Sequence, residues 1–324
     1  MRKSITKNNK KAHLTNELFH FNKATFELVK WPSFSSNLVD EKDEIDNKII
    51  AIQTTRLSAE FSAVKTSVEK SSNDTSSEHG SPFAHFNLGL HVNDLPDQVT
   101  KNRDTLKQFL NQQVSAPTNQ DAKKAKLSVS DTVHKADIKI QWLEQVHGNN
   151  VVTVTTVDEE AIVADASITR LPNVALAIMT ADCLPILLTN KQGTEVAAIH
   201  GGWRPLAANI IEETLSEMNS CASDIIAWLG PSIGSSAFEV DTEVRQAFIE
   251  LNNEFSNAFI QKSTAHQQAK YLADLHKIAR MQLTNLGVTA ISELAECTYL
   301  QTDKYYSYRK DNITGRMASI ICLR

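Results

Sequence analysis

Cysteine is scarce. Cys183, Cys221, Cys297 and Cys322 are scattered through 324 residues with no Cys-x-x-Cys pair. That excludes a secreted disulfide framework. No apolar run reaches the roughly 18–20 residues that a membrane helix needs. The basic N-terminal run MRKSITKNNKKA is followed by polar residues, not by the apolar stretch of a secretory signal. Together these absences point to a reducing, cytoplasmic setting with no membrane partner. Positive charge is not in excess either: 33 Lys and Arg stand against 38 Asp and Glu, a net charge of −5. Nucleic acid therefore has no general electrostatic claim on the chain. No segment recurs at a period of about 20–50 residues, which excludes a solenoid.

What is present is an ordinary globular composition, 41% hydrophobic, and a chain long enough to bury a sizeable core. Residues 1–22 read as a disordered basic tail and 23–324 as one catalytic domain. A polar excursion at 58–82 cannot bury enough apolar area to offset its ordering entropy. Strand-like runs include FELVKW, IIAIQTTR, IKIQWLEQV, NVVTVTT, VALAIMTA, PILLTN, EVAAIHG, IIAWLGPSI and ASIICL. Helical spacing marks 97–113, LAANIIEETLSEMNS after Pro205, VDTEVRQAFIELNNEF and LADLHKIARMQLTNLG. Regular βαβ alternation is missing, so the expected fold class is α+β with mixed sheets.

Three short stretches concentrate unusual chemistry: Gln145-Val146-His147-Gly148, Thr180-Ala181-Asp182-Cys183-Leu184-Pro185, and His200-Gly201-Gly202-Trp203-Arg204. Each sets a His or Cys at the end of an apolar strand, beside Gly or Pro, where a rigid scaffold presents functional groups. Two imidazoles and a thiolate suit zinc, and three protein ligands leave a tetrahedral position open; copper is the competitor. The spacing is not diagnostic. A Cys-His nucleophile pair, or a buried cysteine with hydrogen-bonded core histidines, fits the same residues. Cys221, Cys297 and Cys322 read as small buried hydrophobes.

These stretches, with the following GPSIGSSAFEV, the closing CTYLQTDKYYSYRKDNITGRMASIICL and the earlier NLGLHVNDLPDQVTKNRDTL, resemble the YfiH/YlmD-type laccase-domain family. That family is described both as multicopper polyphenol oxidase-like and as purine nucleoside phosphorylases. The resemblance spans roughly residues 26–324. It implies a single layered α/β/β/α-type domain with His147, Cys183 and His200 as zinc ligands. It also implies phosphorolysis of adenosine, inosine, guanosine and methylthioadenosine, with deamination of adenosine. Two departures stand out. The third motif reads His-Gly-Gly-Trp-Arg-Pro where relatives usually have His-Ala-Gly-Trp-Arg-Gly, and the polar excursion replaces a short glycine-rich turn.

Phosphorolysis needs a cationic phosphate site, for which Arg56 and Arg204 are the candidates. Asn87, Gly89 and His91 fall at the expected active-site rim, with His91 as a proton donor to the purine. Asp182 could orient a His ligand or act as acid/base, and Gln145 could shape the pocket. Trp203 and Phe238 are candidates for stacking on a purine, though core packing suits them better. Tyr306, Tyr308 and Arg309 form a further rim candidate. Competing readings are a Cys183 thiol hydrolase in peptidoglycan precursor editing, a copper-dependent polyphenol oxidase, and a non-catalytic metal or nucleotide-binding partner. The chain offers no set of His-x-His pairs for a multicopper cluster. The expected oligomeric state is monomer or weak dimer.

Overall fold

Apolar runs rich in β-branched residues, separated by short turns, set up the strands of this α+β protein. The computed structural model describes residues 24–32, 45–58, 81–116, 137–262 and 269–324. The expected tail at 1–22 and most of the excursion at 58–82 lie outside the described residues.

In chain order the strands begin with β1 (Phe26–Leu28), β2 (Ile49–Thr54), β3 (Lys139–Gln141), β4 (Leu143–Glu144), β5 (Val151–Val154) and β6 (Ile162–Val163). The central ones are β7 (Ala166–Thr169), β8 (Val174–Thr180), β9 (Leu184–Asn190), β10 (Val196–Gly201) and β11 (Ile225–Leu229). The last are β12 (Glu239–Asp241), β13 (Phe259–Lys262), β14 (Lys270–Ala273), β15 (Ala290–Glu293) and β16 (Met317–Leu323). One sheet has the order β1-β2-β16-β8-β3 and a second the order β15-β11-β9-β10-β7-β5. Both are mixed: β8 runs antiparallel to β16 but parallel to β3, and β11 antiparallel to β9 but parallel to β15.

Alternation along the strands explains the layering. Val174, Leu176 and Ile178 of β8 point between the sheets, against Leu187, Val196, Ala198, Ile226 and Trp228 of the second. Ala175, Ala177 and Met179 point the other way, onto Leu106, Phe109 and Leu110 of the helix Pro96–Ser115. That helix starts on a proline, which needs no intrahelical N–H there. The outer face of the second sheet, with Ile186, Leu188, Ala197, Ile199 and Ala227, is covered by the helices Ile210–Glu217, Thr242–Leu251 and Leu275–Asn285. The result is an α/β/β/α stack. Because both faces of β8, β9 and β10 are covered, every residue in them is buried. Each fully buried Ile or Leu contributes about 1.5–3 kcal/mol of transfer free energy.

Three expectations need correction. The helix expected over LAANIIEETLSEMNS is split. A short helix Trp203–Ala207 ends before Asn209, whose φ of 60° breaks the ladder, and a second helix, Ile210–Glu217, follows it. Asparagine tolerates the left-handed conformation, so apolar periodicity continues across a real break. The helix expected from Leu272 starts three residues later: Leu272 and Ala273 belong to β14, and the Asp274 side chain caps the helix by accepting the Lys277 N–H. β14 is the centre of an unforeseen third sheet, β12-β14-β13. Of the three cysteines expected to be buried, only Cys322 is; Cys297 is half-buried and Cys221 exposed.

Candidate metal centre

The pairing of strands brings the chemistry to one edge of the stack. In the antiparallel β9–β10 pair, His200 lies opposite Pro185 and Gly201 opposite Leu184, so Cys183 and His200 emerge at the same end. β7 pairs antiparallel with β10, with Ala166 opposite Ile199, which puts Asp165 at that end too. The segment Ala181-Asp182-Cys183 carries the chain from β8 in one sheet to β9 in the other. His147 comes from the loop after β4.

One donor atom each from His147, Cys183 and His200 lies within 4.8 Å of the others. The two imidazoles meet edge to face, with ring centroids 4.7 Å apart. His200 is buried, Cys183 half-buried and His147 exposed, so the cluster opens to solvent on one side. Burial opposes ionisation of the Cys183 thiol. The adjacent charge of His200 and hydrogen bonds from both imidazoles outweigh it and bring the thiol down to about 6. Burial likewise opposes the His200 cation, but Cys183 and Asp165 raise it to about 9. A thiolate beside two imidazoles is a donor set that suits a borderline-soft divalent cation. The residues present therefore fit a metal ion.

Asp165 holds this cluster together. One carboxylate oxygen sits 2.7 Å from His200 Nδ1, which leaves the other ring nitrogen for the Cys183 side of the cluster. The carboxylate also accepts the backbone N–H groups of Val146, His147 and Gly148 at 3.3, 3.0 and 2.6 Å. These bonds fix the His147 loop, in which His147 takes a left-handed φ of 62°. Burial would raise the Asp165 carboxyl, but the hydrogen bonds from His200, Gly148 and His147 leave it below its ordinary value. Gly202 closes the back of the cluster: a Cβ there would lie 3.1 Å from Cys183 Sγ and 3.5 Å from His147 Cδ2.

Asp182 occupies a different place from the histidines. Its φ is 98°, a strained conformation for a non-glycine residue. Its carboxylate accepts Thr298 Oγ1 at 2.7 Å and the Arg309 N–H at 2.6 Å, and its carbonyl accepts the Ile233 N–H at 2.9 Å. It thus ties the turn before Cys183 to the C-terminal segment. Gln145 spends its whole side-chain amide on the backbone N–H and C=O of Met179, both at 2.8 Å, and so acts as an extra rung at the end of β8. Buried Asn87 is equally committed: its oxygen accepts the Gly89 and Arg316 N–H groups, and its nitrogen donates to Gly89 O and Asp94.

His91 is exposed. Partial covering and the nearby charges of Arg316 and Arg103 hold its imidazole below the ordinary value. Arg56 donates Nη1 to Thr302 O at 2.7 Å and lies over the Tyr306 ring; exposed Arg204 lies over Trp203. Trp203 and Phe238 pack against the hydrophobic core. Of the expected rim trio, Tyr308 and Arg309 are exposed, but Tyr306 is fully buried, its hydroxyl donating to Phe83 O.

Sequence reasoning missed Asp165, Thr298 and Arg316. The signal for Asp165 was an acidic residue inside the apolar run IVADASI, and Arg316 stood unassigned in the closing Thr-Gly-Arg-Met.

An α/β/β/α stack with a two-histidine, one-cysteine centre at the edge shared by its sheets is the class these observations define. The chain belongs to the multi-copper polyphenol oxidoreductase laccase family, whose model matches residues 117–324. It is 43% identical over 242 residues to the purine nucleoside phosphorylase YfiH of Shigella flexneri, covering 75% of this chain and 88% of that protein. The same figures hold for the Escherichia coli protein of that name. Among solved structures, the Neisseria meningitidis protein NMB0706 superposes with a TM-score of 0.69 at 31% identity, covering 92% of this chain and 99% of that one. YlmD from Geobacillus stearothermophilus superposes with a TM-score of 0.63 at 25% identity, covering 86% and 93%.

Proposed function

We propose that the chain is a zinc-dependent purine nucleoside phosphorylase that acts on adenosine, inosine, guanosine and methylthioadenosine and also deaminates adenosine. The observation that carries this reading is the solvent-open cluster His147–Cys183–His200, oriented by Asp165. The names of the most similar relatives supply the reaction. His147, Cys183 and His200 would hold the ion, with copper the less suited alternative. When bound, zinc supplies Lewis-acid chemistry and eases the ionisation of water. Among the described residues this is the one cluster of three such donors, which favours a single ion over a multicopper centre.

In phosphorolysis an oxygen of inorganic phosphate bonds to C1′ as the C1′–N9 bond breaks. The bonding pair leaves on the purine, which takes up a proton. The products are the free base and ribose 1-phosphate. His91, exposed two residues past Gly89, would pass that proton to the base. Arg56 and Arg204 offer cationic donors with no carboxylate partner among the described residues. Asp182, Gln145, Asn87 and Gly89 act as positioning residues, since their hydrogen bonds hold the backbone around the centre.

The test is a product analysis on metal-loaded protein with adenosine. Phosphate should yield adenine and ribose 1-phosphate, and ammonia should appear with or without phosphate. Adenosine and inosine left intact at full metal occupancy would end the reading. The array Cys183–His200–Asp165 also favours one rival, a thiol hydrolase. Turnover of an amide or ester that survives complete chelation, and is lost on alkylation of Cys183, would favour that rival.

A further inference from the structure

Arg316 immediately precedes β16. Because Met317 pairs with Thr180, Arg316 lies beside the end of β8, where the chain turns into Asp182 and Cys183. Its guanidinium is close enough to feel the charges of both. Three contacts fix the residue. Its N–H donates to Asn87 Oδ1 at 2.8 Å, its carbonyl accepts the Leu88 N–H at 3.1 Å, and its stem lies flat on Gly89. A Cβ at residue 89 would sit 2.9 Å from Arg316 Cγ, so the close approach requires glycine.

The head of this half-buried side chain is only partly used. Nη1 donates to the carbonyls of Thr314 and Gly315, both at 3.0 Å. Among the described residues no protein acceptor meets Nε or Nη2, and no carboxylate forms an ion pair with the group. Asp182, the acid nearest in sequence to the centre, already has its oxygens on Thr298 and the Arg309 N–H. Arg103 approaches the same Asn87–Gly89 turn from the other side. It donates Nε to Leu88 O at 2.9 Å and lies 3.9 Å over the Trp142 ring, again with no carboxylate partner among the described residues. His91, two residues past Gly89, feels both guanidinium charges. Burial holds Arg103 down at about 10, the penalty expected of a cation without a counter-ion.

Two partly buried guanidinium groups around one turn, beside the His147–Cys183–His200 cluster and with no carboxylate in an ion pair with either among the described residues, make an anion site, although Asp94 accepts from Asn87 on that turn. We propose that Arg316, backed by Arg103, receives the inorganic phosphate that attacks the nucleoside, in place of Arg56 and Arg204. This rests on the phosphorylase reading for the identity of the anion. All three arginines lie over aromatic rings, Arg316 over Tyr308 at 5.8 Å. What singles out Arg316 is its place beside the end of β8 and Cys183, with Nε and Nη2 without a protein acceptor among the described residues, a fork that matches two phosphate oxygens.

The test uses the metal-loaded full chain and its Arg316→Gln and Arg316→Lys variants, checked for metal content. Inorganic phosphate should raise the melting temperature of the wild type, and this rise should vanish in Arg316→Gln. KM for phosphate should rise about 10- to 100-fold in Arg316→Gln, the effect of a lost charge-assisted hydrogen-bond pair, with KM for inosine changed less than about threefold. Arg316→Lys should fall between the two. An unchanged phosphate response in metal-replete Arg316→Gln overturns the proposal. So does a melting shift with nucleoside monophosphates but none with inorganic phosphate, which would assign the cradle to a nucleotide. A wild-type shift with phosphate, lost in Arg316→Gln, but without nucleoside cleavage supports the anion site and sinks the phosphorylase reading alone.

Discussion

Asp165 takes four hydrogen bonds, one from His200 Nδ1 and three from the backbone of residues 146–148, and so orients two of the three residues of the candidate metal cluster at once. Asp165→Asn keeps the volume, removes the charge and turns an amide NH₂ toward backbone donors. Metal affinity, read by competition with a chromogenic chelator, should fall about 10- to 100-fold. An unchanged affinity would show that the donors are oriented without it. Gly202→Ala places a methyl 3.1 Å from Cys183 Sγ. Metal content after purification should drop while the far-UV circular dichroism stays native; full occupancy would count against so tight a cluster. At this scale the sequence singled out His147, Cys183 and His200 by their residue types at strand ends beside Gly or Pro, but their spacing left a Cys-His pair or buried core residues open, and the metal reading came from the family motifs. It did not show Asp165 or Arg316. Their partners come from distant segments that only strand pairing brings together, and a lone acid or arginine carries no local pattern.

Elements show where periodicity suffices and where it fails. The strands β8, β9, β10 and β16 were legible as β-branched apolar runs because both of their faces are buried. The split at Asn209 was not, since Leu206, Ile210 and Ile211 stay buried on either side of it. Asn209→Ala should destabilise by about 1 kcal/mol, because alanine lacks the polar side chain by which asparagine tolerates the left-handed region, while Asn209→Gly stays within about 0.5 kcal/mol. The denaturant midpoint checks both, and a continuous helix would reverse the order. Buried Glu195, at the entry to β10, accepts the N–H groups of Asn219 and Ser220 and pairs with Arg170 at 3.0 Å. Burial raises its carboxyl, but those hydrogen bonds and Arg170 leave it below the ordinary value of 4.5. A group depressed in the folded state stabilises above its unfolded pKa and loses that contribution as pH falls through the folded one. Glu195→Gln should therefore destabilise by about 2 kcal/mol at pH 7, with the difference from wild type shrinking below pH 4.5. A difference that does not change with pH would show that the charge is irrelevant.

For the molecule as a whole, the two sheets meet at one edge. There the end of β8, the start of β9, the end of β10 and the approach to β16 bring Asp182, Cys183, His200 and Arg316 together. Composition and missing βαβ alternation were enough for an α+β fold with mixed sheets. The four-layer order came from the family motifs, and the observed helix–sheet–sheet–helix packing agrees with it. Periodicity alone says which face of a strand is buried, not what buries it. The chemistry assigned to that edge is tested most directly by following inosine with phosphorus NMR, using protein of measured metal content. The account predicts hypoxanthine and ribose 1-phosphate in equal amounts, only when phosphate is present, at a rate that rises with metal occupancy and vanishes in Cys183→Ala. Hypoxanthine released with free ribose in phosphate-free buffer, or no cleavage at full occupancy, would contradict it.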